Sequence, residues 1–216
     1  MLNLLADKIF VINLATAKDR LASFTDEMGK YNLEFERFDA IKPNGGATVA
    51  DRFLGNKKSH LGCIQIARDS GYGRVIICED DMMFDDDWAN QFEVIFSEAA
   101  EFTKNNPWDI FYIGSRHKTP FDDTVGYRFV KKVVRSWCIH CYMVNSLIYD
   151  DILEGHLDYS PDLPCDVYYY EHVQKRGNCY CLIPRPAIQR PGYSDAMDRD
   201  TDNLRLLKDK RTSDEC

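Results

Sequence analysis

Short apolar runs alternate with helical patterns through the first half of the chain. The length and β-branched or aromatic content of these runs predict strands over residues 8–14, 35–40, 74–78 and 109–113. Between them, apolar residues recur at spacings of three and four, and these spacings predict helices over residues 17–30, 59–69 and 88–103. Strands that alternate with helices form a mostly parallel sheet covered by helices. The sequence therefore predicts an α/β fold.

The second half of the chain is richer in strand patterns. It predicts strands over residues 127–134, 140–144 and 179–183, and helices near residues 145–154 and 166–175. This section indicates a mixed sheet with an antiparallel addition, within a single domain that spans residues 1–216. Polar and turn-forming residues dominate near the end, so residues 197–216 are predicted to form a polar C-terminal tail.

Three adjacent carboxylates, Glu79, Asp80 and Asp81, follow the strand predicted over residues 74–78. Packing three like charges costs free energy unless a positive charge lies among them, and a divalent cation with oxygen ligands supplies one. In open α/β sheets, ligands bind just beyond the carboxyl ends of strands. The pattern therefore predicts a metal site at the mouth of the sheet. A simple acidic turn is the alternative, because three more aspartates follow at residues 85–87.

Charge and composition exclude several classes of protein. A formal net charge of −8 without a basic stripe argues against a nucleic-acid-binding surface. No run of apolar residues has the length of a transmembrane segment, and the N-terminus lacks the pattern of a signal peptide. The eight cysteines fit no zinc motif, so we expect reduced thiols and a cytoplasmic location.

Further motifs occur in order along residues 8–196. They are an apolar strand ending in Asn13-Leu14 with Arg20 beyond it, Gly55 before Ser59-His60, the Glu79-Asp-Asp81 strand end, residues 108–114, Pro164-Cys-Asp166-Val167, and Gln189 with Gly192-Tyr-Ser-Asp195. Together these segments resemble glycosyltransferase family 25, which includes bacterial lipopolysaccharide galactosyltransferases and collagen galactosyltransferases. Asn56 stands where the family usually has Cys.

This resemblance implies a GT-A fold and an enzyme that transfers a hexose from a UDP-sugar with inversion at the anomeric carbon. The implied acceptor is a hydroxyl group of a glycan, a lipid-linked sugar or a protein. Mn²⁺ or Mg²⁺ is the implied cofactor, because a divalent ion stabilises the charge that develops on the diphosphate leaving group. The Glu79-Asp-Asp81 segment then represents a variant of the Asp-x-Asp motif.

The resemblance also assigns roles to individual carboxylates. Asp81 is expected to bind the metal directly, with Asp80 as a further candidate ligand, while Glu79 or Asp80 contacts the ribose or a metal-bound water. Asp195 is the candidate for a distant metal ligand, with an Asx turn as the competing interpretation. Asp166 is the candidate general base, with a helix cap as its alternative.

Other residues are expected to bind the nucleotide-sugar donor. Asn13, Arg20, Ser59, His60 and Gln189 are predicted to contact the nucleotide or to lie in its pocket. Arg20 has a surface ion pair or a turn-stabilising role as its alternative, and a lone His near a helix start is more often structural.

Two aromatic residues, Trp137 and Tyr193, are candidates for stacking on a sugar or base, although core packing is the competing role for Trp137.

Three other functions compete with glycosyl transfer. A sugar-nucleotide-forming nucleotidyltransferase usually has a Gly-rich loop after the first strand, and residues 15–20 contain no Gly. An aspartyl phosphatase needs an Asp-x-Asp-x-Thr pattern, which residues 79–83 do not supply. The third alternative is a non-catalytic module that binds carbohydrate or nucleotide.

Overall fold

The computed structural model describes residues 2–118, 122, 124–157, 160 and 163–202. Its strands are β1 (Lys8–Asn13), β2 (Glu36–Asp39), β3 (Arg74–Glu79), β4 (Met82–Phe84), β5 (Ile110–Lys118), β6 (Val130–Lys132), β7 (Arg135–Asn145), β8 (Cys179–Leu182), β9 (Ala187–Gln189), β10 (Gly192–Ser194) and β11 (Arg199–Thr201). Its α-helices are α1 (Lys18–Gly29), α2 (Val49–Asp69), α3 (Phe92–Asn105), α4 (Tyr149–Leu157) and α5 (Cys165–Tyr168), and α5 continues as a π-helical turn over Tyr169–Val173.

Seven strands form one sheet in the order β2-β1-β3-β7-β5-β8-β6. Strand β1 pairs in parallel with β2 and β3, and β5 pairs in parallel with β8. The antiparallel strands are β7, which lies between β3 and β5 in the middle of the sheet, and β6 at one edge. The predicted α/β fold with a mixed, mostly parallel sheet is confirmed.

Helices cover both faces of this sheet. Alternate residues of β1 enter different cores, so that Val11 packs with α1 and α3, whereas Phe10 packs with α2, α4 and α5. Both cores consist of fully buried aliphatic and aromatic side chains, including Phe24 and Phe96 on one face and Ile64 and Ile152 on the other. The helices therefore form the outer layers of an α/β/α sandwich.

Helix α2 begins at Val49, well before its predicted start at residue 59. Thr48 caps it, because the Thr48 side chain accepts the Asp51 N–H while the Asp51 carboxylate accepts the Thr48 N–H. The prediction was wrong here because Gly55 and the following polar residues interrupt the apolar spacing. Ser59 therefore lies in the middle of a helix rather than near its start.

Two strand predictions also need correction. Strand β7 extends from Arg135 to Asn145 rather than over residues 140–144, and the strand predicted over 127–134 is limited to β6. The first residues of the predicted tail form β11, which pairs with β10 in an antiparallel hairpin. The hairpin ends close to residue 202, and the rest of the predicted tail, residues 203–216, lies outside the described residues.

Seven cysteines lie in the described part of the chain, and all seven are free thiols. Cys63 and Cys78 are fully buried among apolar side chains, as predicted. In the described ranges, no helix combines the length and the hydropathy needed to cross a membrane.

Candidate functional site

A cleft of about 370 Å³ opens at the carboxyl ends of the parallel strands β1, β2 and β3. These ends lie side by side, because Ile12 pairs with Glu79 and Asn13 pairs with Asp39. The walls come from distant parts of the sequence, and the polar lining includes Arg20, Lys42, Arg52, Asn56, Ser59, Glu79, Asp80, Asp81, Asp166, Gln189 and Asp195. The sheet thus brings most of the predicted site residues to one edge, where α/β proteins bind ligands.

Glu79 is the best compensated member of the acidic trio. Its carboxylate accepts hydrogen bonds from Asn56 Nδ2 at 3.2 Å and from Gln189 Nε2 at 3.3 Å. His60 Nε2 lies 3.6 Å from Glu79 Oε1, just beyond hydrogen-bonding distance. Burial alone would raise the pKa of Glu79, but the neighbouring His60, His140 and Asn56 outweigh it and lower the pKa.

Asp80 is held by Asn13 of β1 and Arg20 of α1. Asn13 Nδ2 donates to Asp80 Oδ2 at 2.6 Å, and Arg20 Nε lies 3.4 Å from the same oxygen. Burial, together with the charges of Glu79 and Asp195, raises the pKa of Asp80 to about 6 even though Arg20 and Asn13 act in the opposite direction. The carboxylate is therefore positioned by its partners without being fully neutralised.

Asp81 is the least compensated member. Its Oδ2 accepts a long hydrogen bond of 3.3 Å from Gln189, whereas its Oδ1 is buried and has no hydrogen-bond donor in the described part of the chain. Burial and the charges of Glu79 and Asp80 raise the pKa of Asp81 well above its ordinary value. The charge of Arg20 acts in the opposite direction without outweighing them.

The chemistry of these oxygens fits a divalent cation at Asp81. Among the described residues, no group of three or more His, Cys, Asp or Glu side chains is arranged to hold a metal alone. Mg²⁺ in nucleotide enzymes needs only one or two protein carboxylates, because waters and substrate phosphates complete its coordination. The unpartnered Asp81 Oδ1, beside Asp80, supplies such a partial ligand set.

Asp195 faces cations of the chain itself. It lies in the turn between β10 and β11, where its Oδ2 accepts from Arg20 Nη2 at 2.5 Å and its Oδ1 lies 3.4 Å from Lys42 Nζ. Arg20 therefore bridges Asp80 on the sheet edge and Asp195 on the hairpin. Both oxygens of Asp195 are therefore engaged by cations of the chain in this structure.

Asp166 stands at the start of α5, behind Pro164, as predicted. Its Oδ2 accepts the backbone N–H of Cys138 at 3.0 Å, and Cys138 has a left-handed backbone conformation with φ of 55°. Burial raises the pKa of Asp166 above its ordinary value. Both Asp166 and Cys138 line the cleft, so the carboxylate is accessible to a ligand that enters it.

Of the other residues predicted to bind the sugar donor, Ser59 lines the cleft, whereas Asn13 and His60 do not. Ser59 lines the cleft, but its hydroxyl donates to Gly55 O and accepts the Ile41 N–H, so that it fastens the segment after β2 to α2. Asn13 and His60 are buried; Asn13 supports Asp80, and His60 Nδ1 pairs with the Tyr142 hydroxyl at 2.9 Å.

Neither aromatic candidate is part of a core. Trp137 is partly exposed and packs against Arg135 and Tyr170, with the Arg135 guanidinium 4.2 Å from the Trp137 ring centroid. Tyr193 is half exposed on the hairpin, and its hydroxyl donates to the Asp198 carboxylate.

Sequence reasoning missed three polar residues of the cleft. Asn56 donates to Glu79, while Lys42 and Arg52 place positive charge opposite the hairpin. Lys42 precedes an evident turn signal, Pro43-Asn-Gly-Gly46, but no local pattern indicates that a lysine before a turn and an arginine within a helix converge.

Comparisons with known proteins identify similar sequences and a similar fold. The model of glycosyltransferase family 25 (LPS biosynthesis protein) matches residues 6–58. Two curated proteins named probable inactive glycosyltransferase 25 family member 3 are each 22% identical to this chain: the Rattus norvegicus protein over 139 residues, which are 54% of this chain and 24% of that protein, and the Bos taurus protein over 141 residues, which are 55% and 23%. The matches thus cover about a quarter of the length of these relatives.

A solved structure shares the architecture. The crystal structure of a glycosyltransferase involved in the glycosylation of the major capsid of PBCV-1 aligns with a TM-score of 0.55 and 12% identity, over 88% of this chain and 95% of that one. This likeness confirms a GT-A-like fold. The matches at the level of sequence confirm the resemblance to glycosyltransferase family 25.

Proposed function

We propose that this family-25-like chain is a metal-dependent glycosyltransferase that moves a hexose from a UDP-sugar to a hydroxyl group of a glycan, a lipid-linked sugar or a protein, with inversion. The observation that carries the proposal is the Asp81 carboxylate at the edge of the cleft, whose buried Oδ1 has no donor in the described part of the chain. An uncompensated acid beside Asp80 suits a site that is completed by a cation and a phosphorylated ligand.

In this proposal Asp81 and Asp80 hold Mn²⁺ or Mg²⁺. When bound, the ion supplies positive charge that stabilises the departing diphosphate. The residues of the chain set the geometry, because Asn13 fixes Asp80 and Gln189 fixes both Glu79 and Asp81. The predicted metal role of Asp195 remains a proposal, and its carboxylate pairs with Arg20 and Lys42 in this structure.

Asp166 is the proposed general base. Its Oδ2 is oriented by the Cys138 N–H, and the carboxylate faces the cleft, where it would accept the proton of the acceptor hydroxyl. A pKa raised by burial makes the carboxylate a stronger base than an exposed Asp.

A second candidate is a non-catalytic module that binds a nucleotide in the same cleft. The observation in its favour is the name of the relatives, which are described as probable inactive glycosyltransferases. Both candidates need the same ligand-binding residues, so only turnover separates them.

Calorimetry with UDP, with and without Mn²⁺, tests the proposal first. The wild-type chain should bind UDP more tightly with Mn²⁺, and Asp81→Asn should remove that gain. Asp86→Asn is the matched control, because Asp86 is an exposed acid outside the trio and loses the same charge. Absence of Mn²⁺-dependent UDP binding in the wild-type chain would refute the proposal.

Turnover is then measured with a panel of nucleotide sugars, beginning with UDP-galactose and UDP-glucose, scored for Mn²⁺-dependent hydrolysis or transfer. Hydrolysis of one donor identifies the hexose and supports the transferase. Mn²⁺-dependent binding of UDP without turnover of any donor supports the non-catalytic module.

The cellular compartment is also a proposal. The seven described cysteines are free thiols, and free thiols persist in reducing compartments. We therefore propose a cytoplasmic location, which a fluorescent fusion to the full chain would test.

A further inference from the structure

Three basic side chains from separate elements meet at one wall of the cleft. Arg20 comes from α1, Lys42 from the segment after β2, and Arg52 from α2, and all three line the cleft. They form a basic cluster on a chain whose formal net charge is −8. The cluster lines the same cleft as the acidic trio.

Gly46 allows two of these side chains to converge. A Cβ atom at Gly46 would lie 2.7 Å from Lys42 Cε and 3.3 Å from Arg52 Cγ, so both side chains pack against the bare glycine backbone. Arg52 Nη1 also donates to the Gly46 carbonyl oxygen at 3.1 Å. The basic cluster is thus built by the fold rather than formed by chance on a free surface.

The turn between β10 and β11 presents two carboxylates to this basic cluster. Asp195 pairs with Arg20 and Lys42, and Asp198 Oδ2 lies 3.4 Å from Arg52 Nη1. The Asp198 N–H donates to the Ser194 carbonyl oxygen at 2.8 Å, so the two acidic residues are fixed within one turn. Two linked negative groups therefore occupy the basic cluster.

These contacts leave the basic cluster incompletely satisfied. The Arg52 side chain is only 14% exposed, and its Nε is buried and has no hydrogen-bond acceptor in the described part of the chain. The acidic partners are more exposed, at 31% for Asp195 and 55% for Asp198. Ion pairs with exposed partners stabilise a protein only weakly, so a stronger polyanion can displace them.

We propose that Arg20, Lys42 and Arg52 form a binding site for a diphosphate group, and that Asp195 and Asp198 occupy this site until the ligand displaces them. A diphosphate carries more charge than the two carboxylates and offers oxygens for the planar guanidinium groups. Its place within a nucleotide sugar rests on the proposed function. The hairpin then acts as an internal competitor of the donor.

The test measures the affinity of the full chain for inorganic pyrophosphate by calorimetry, after removal of divalent cations. The double substitution Asp195→Asn with Asp198→Asn should tighten binding by roughly three- to ten-fold, since it removes the competing charges. Lys42→Gln with Arg52→Gln should weaken binding by a similar factor. Asp200→Asn is the matched control, because Asp200 is exposed on the same hairpin and loses the same charge, and it should change the affinity less than two-fold.

UDP should follow the same order of affinities as pyrophosphate, whereas uridine, which lacks the diphosphate, should show no effect of the hairpin substitutions. Unchanged pyrophosphate affinity in the hairpin variant, or an equal gain in Asp200→Asn, would overturn the inference. The single substitutions Asp198→Asn and Arg52→Gln should change affinity in the same directions, which keeps the test decisive if a double variant fails to fold.

The two proposals fail separately. If the affinities follow the expected order but no nucleotide sugar is turned over, the transferase proposal fails and the diphosphate site stands. If a nucleotide sugar is turned over while pyrophosphate affinity ignores the hairpin charges, the diphosphate site fails and the transferase proposal stands.

Discussion

Gly55→Ala tests whether close packing between α2 and the segment after β2 sets the shape of the cleft. A Cβ atom at Gly55 would lie 2.3 Å from the Ile41 carbonyl oxygen and 2.9 Å from Pro43 Cδ. Ordinary contact begins at 3.4 Å, so the added methyl group must push the backbone at Ile41 away by about 1 Å. This movement would strain the hydrogen bond of 2.8 Å from the Ile41 N–H to Ser59 Oγ.

Two opposing contributions determine the size of the effect. Replacing a helical Gly by Ala favours the helix by about 0.5–1 kcal/mol. Overpacking costs about 1–3 kcal/mol. We therefore expect Gly55→Ala to lower the free energy of unfolding by roughly 1–2 kcal/mol, and the melting temperature by about 2–8 °C for a chain of this size.

Gly29→Ala is the matched control, because Gly29 also lies in a helix and an added Cβ would meet no heavy atom within 4 Å. It should leave the melting temperature unchanged or raise it by about 1–2 °C. Calorimetric melting curves measure both variants, and pyrophosphate titration shows whether Lys42 has moved with Ile41. The reasoning is refuted if Gly55→Ala is as stable as Gly29→Ala and binds pyrophosphate as the wild type does.

Two more predictions concern buried titratable groups. Asp166→Asn should lower kcat by roughly 10²–10⁴-fold with little change in the donor KM, and initial-rate kinetics that show a wild-type kcat would exclude Asp166 as the base. Burial, with smaller contributions from nearby positive groups, lowers the pKa of His156 to about 3 from an ordinary 6.5. The unfolded chain therefore takes up this proton first, so stability is fully present above pH 6.5 and falls as the pH approaches 3. Between pH 6.5 and 4.5 the loss should be about 2 kcal/mol, and urea unfolding of His156→Gln over this range should show a correspondingly smaller decline.

Elements with a strong local signal were predictable from the sequence. The short apolar runs of β1 and β3 predict buried strands inside a sheet. The polar residues that follow them then lie at the carboxyl edge of that sheet. This geometry is why Asp80 and Asp81 were expected at that edge, whereas Gln189 was expected there from the family resemblance, and the structure brings all three to one cleft. The roles of these residues remain predictions.

Features that depend on distant contacts were not predictable. The start of α2 was missed because Gly55 has no side chain to continue the apolar pattern, and the close approach of Ile41 that favours Gly there is visible only in three dimensions. The pairing of β4 with β9 joins short segments about a hundred residues apart. Likewise, the sequence suggested a metal for Asp195 but contained no sign of the three basic side chains that converge on the hairpin.

The central position of β7 has a consequence for the order in which the chain can assemble. Strands β3 and β5 never pair with each other, because β7 lies between them and comes later in the sequence. During synthesis on the ribosome, the facing edges of β3 and β5 therefore stay unpaired until residues 135–145 have left the exit tunnel, and the other edge of β5 waits for β8. The nascent chain carries a sheet in two parts during that interval, and the unpaired strand edges are the surfaces that a chaperone would shield.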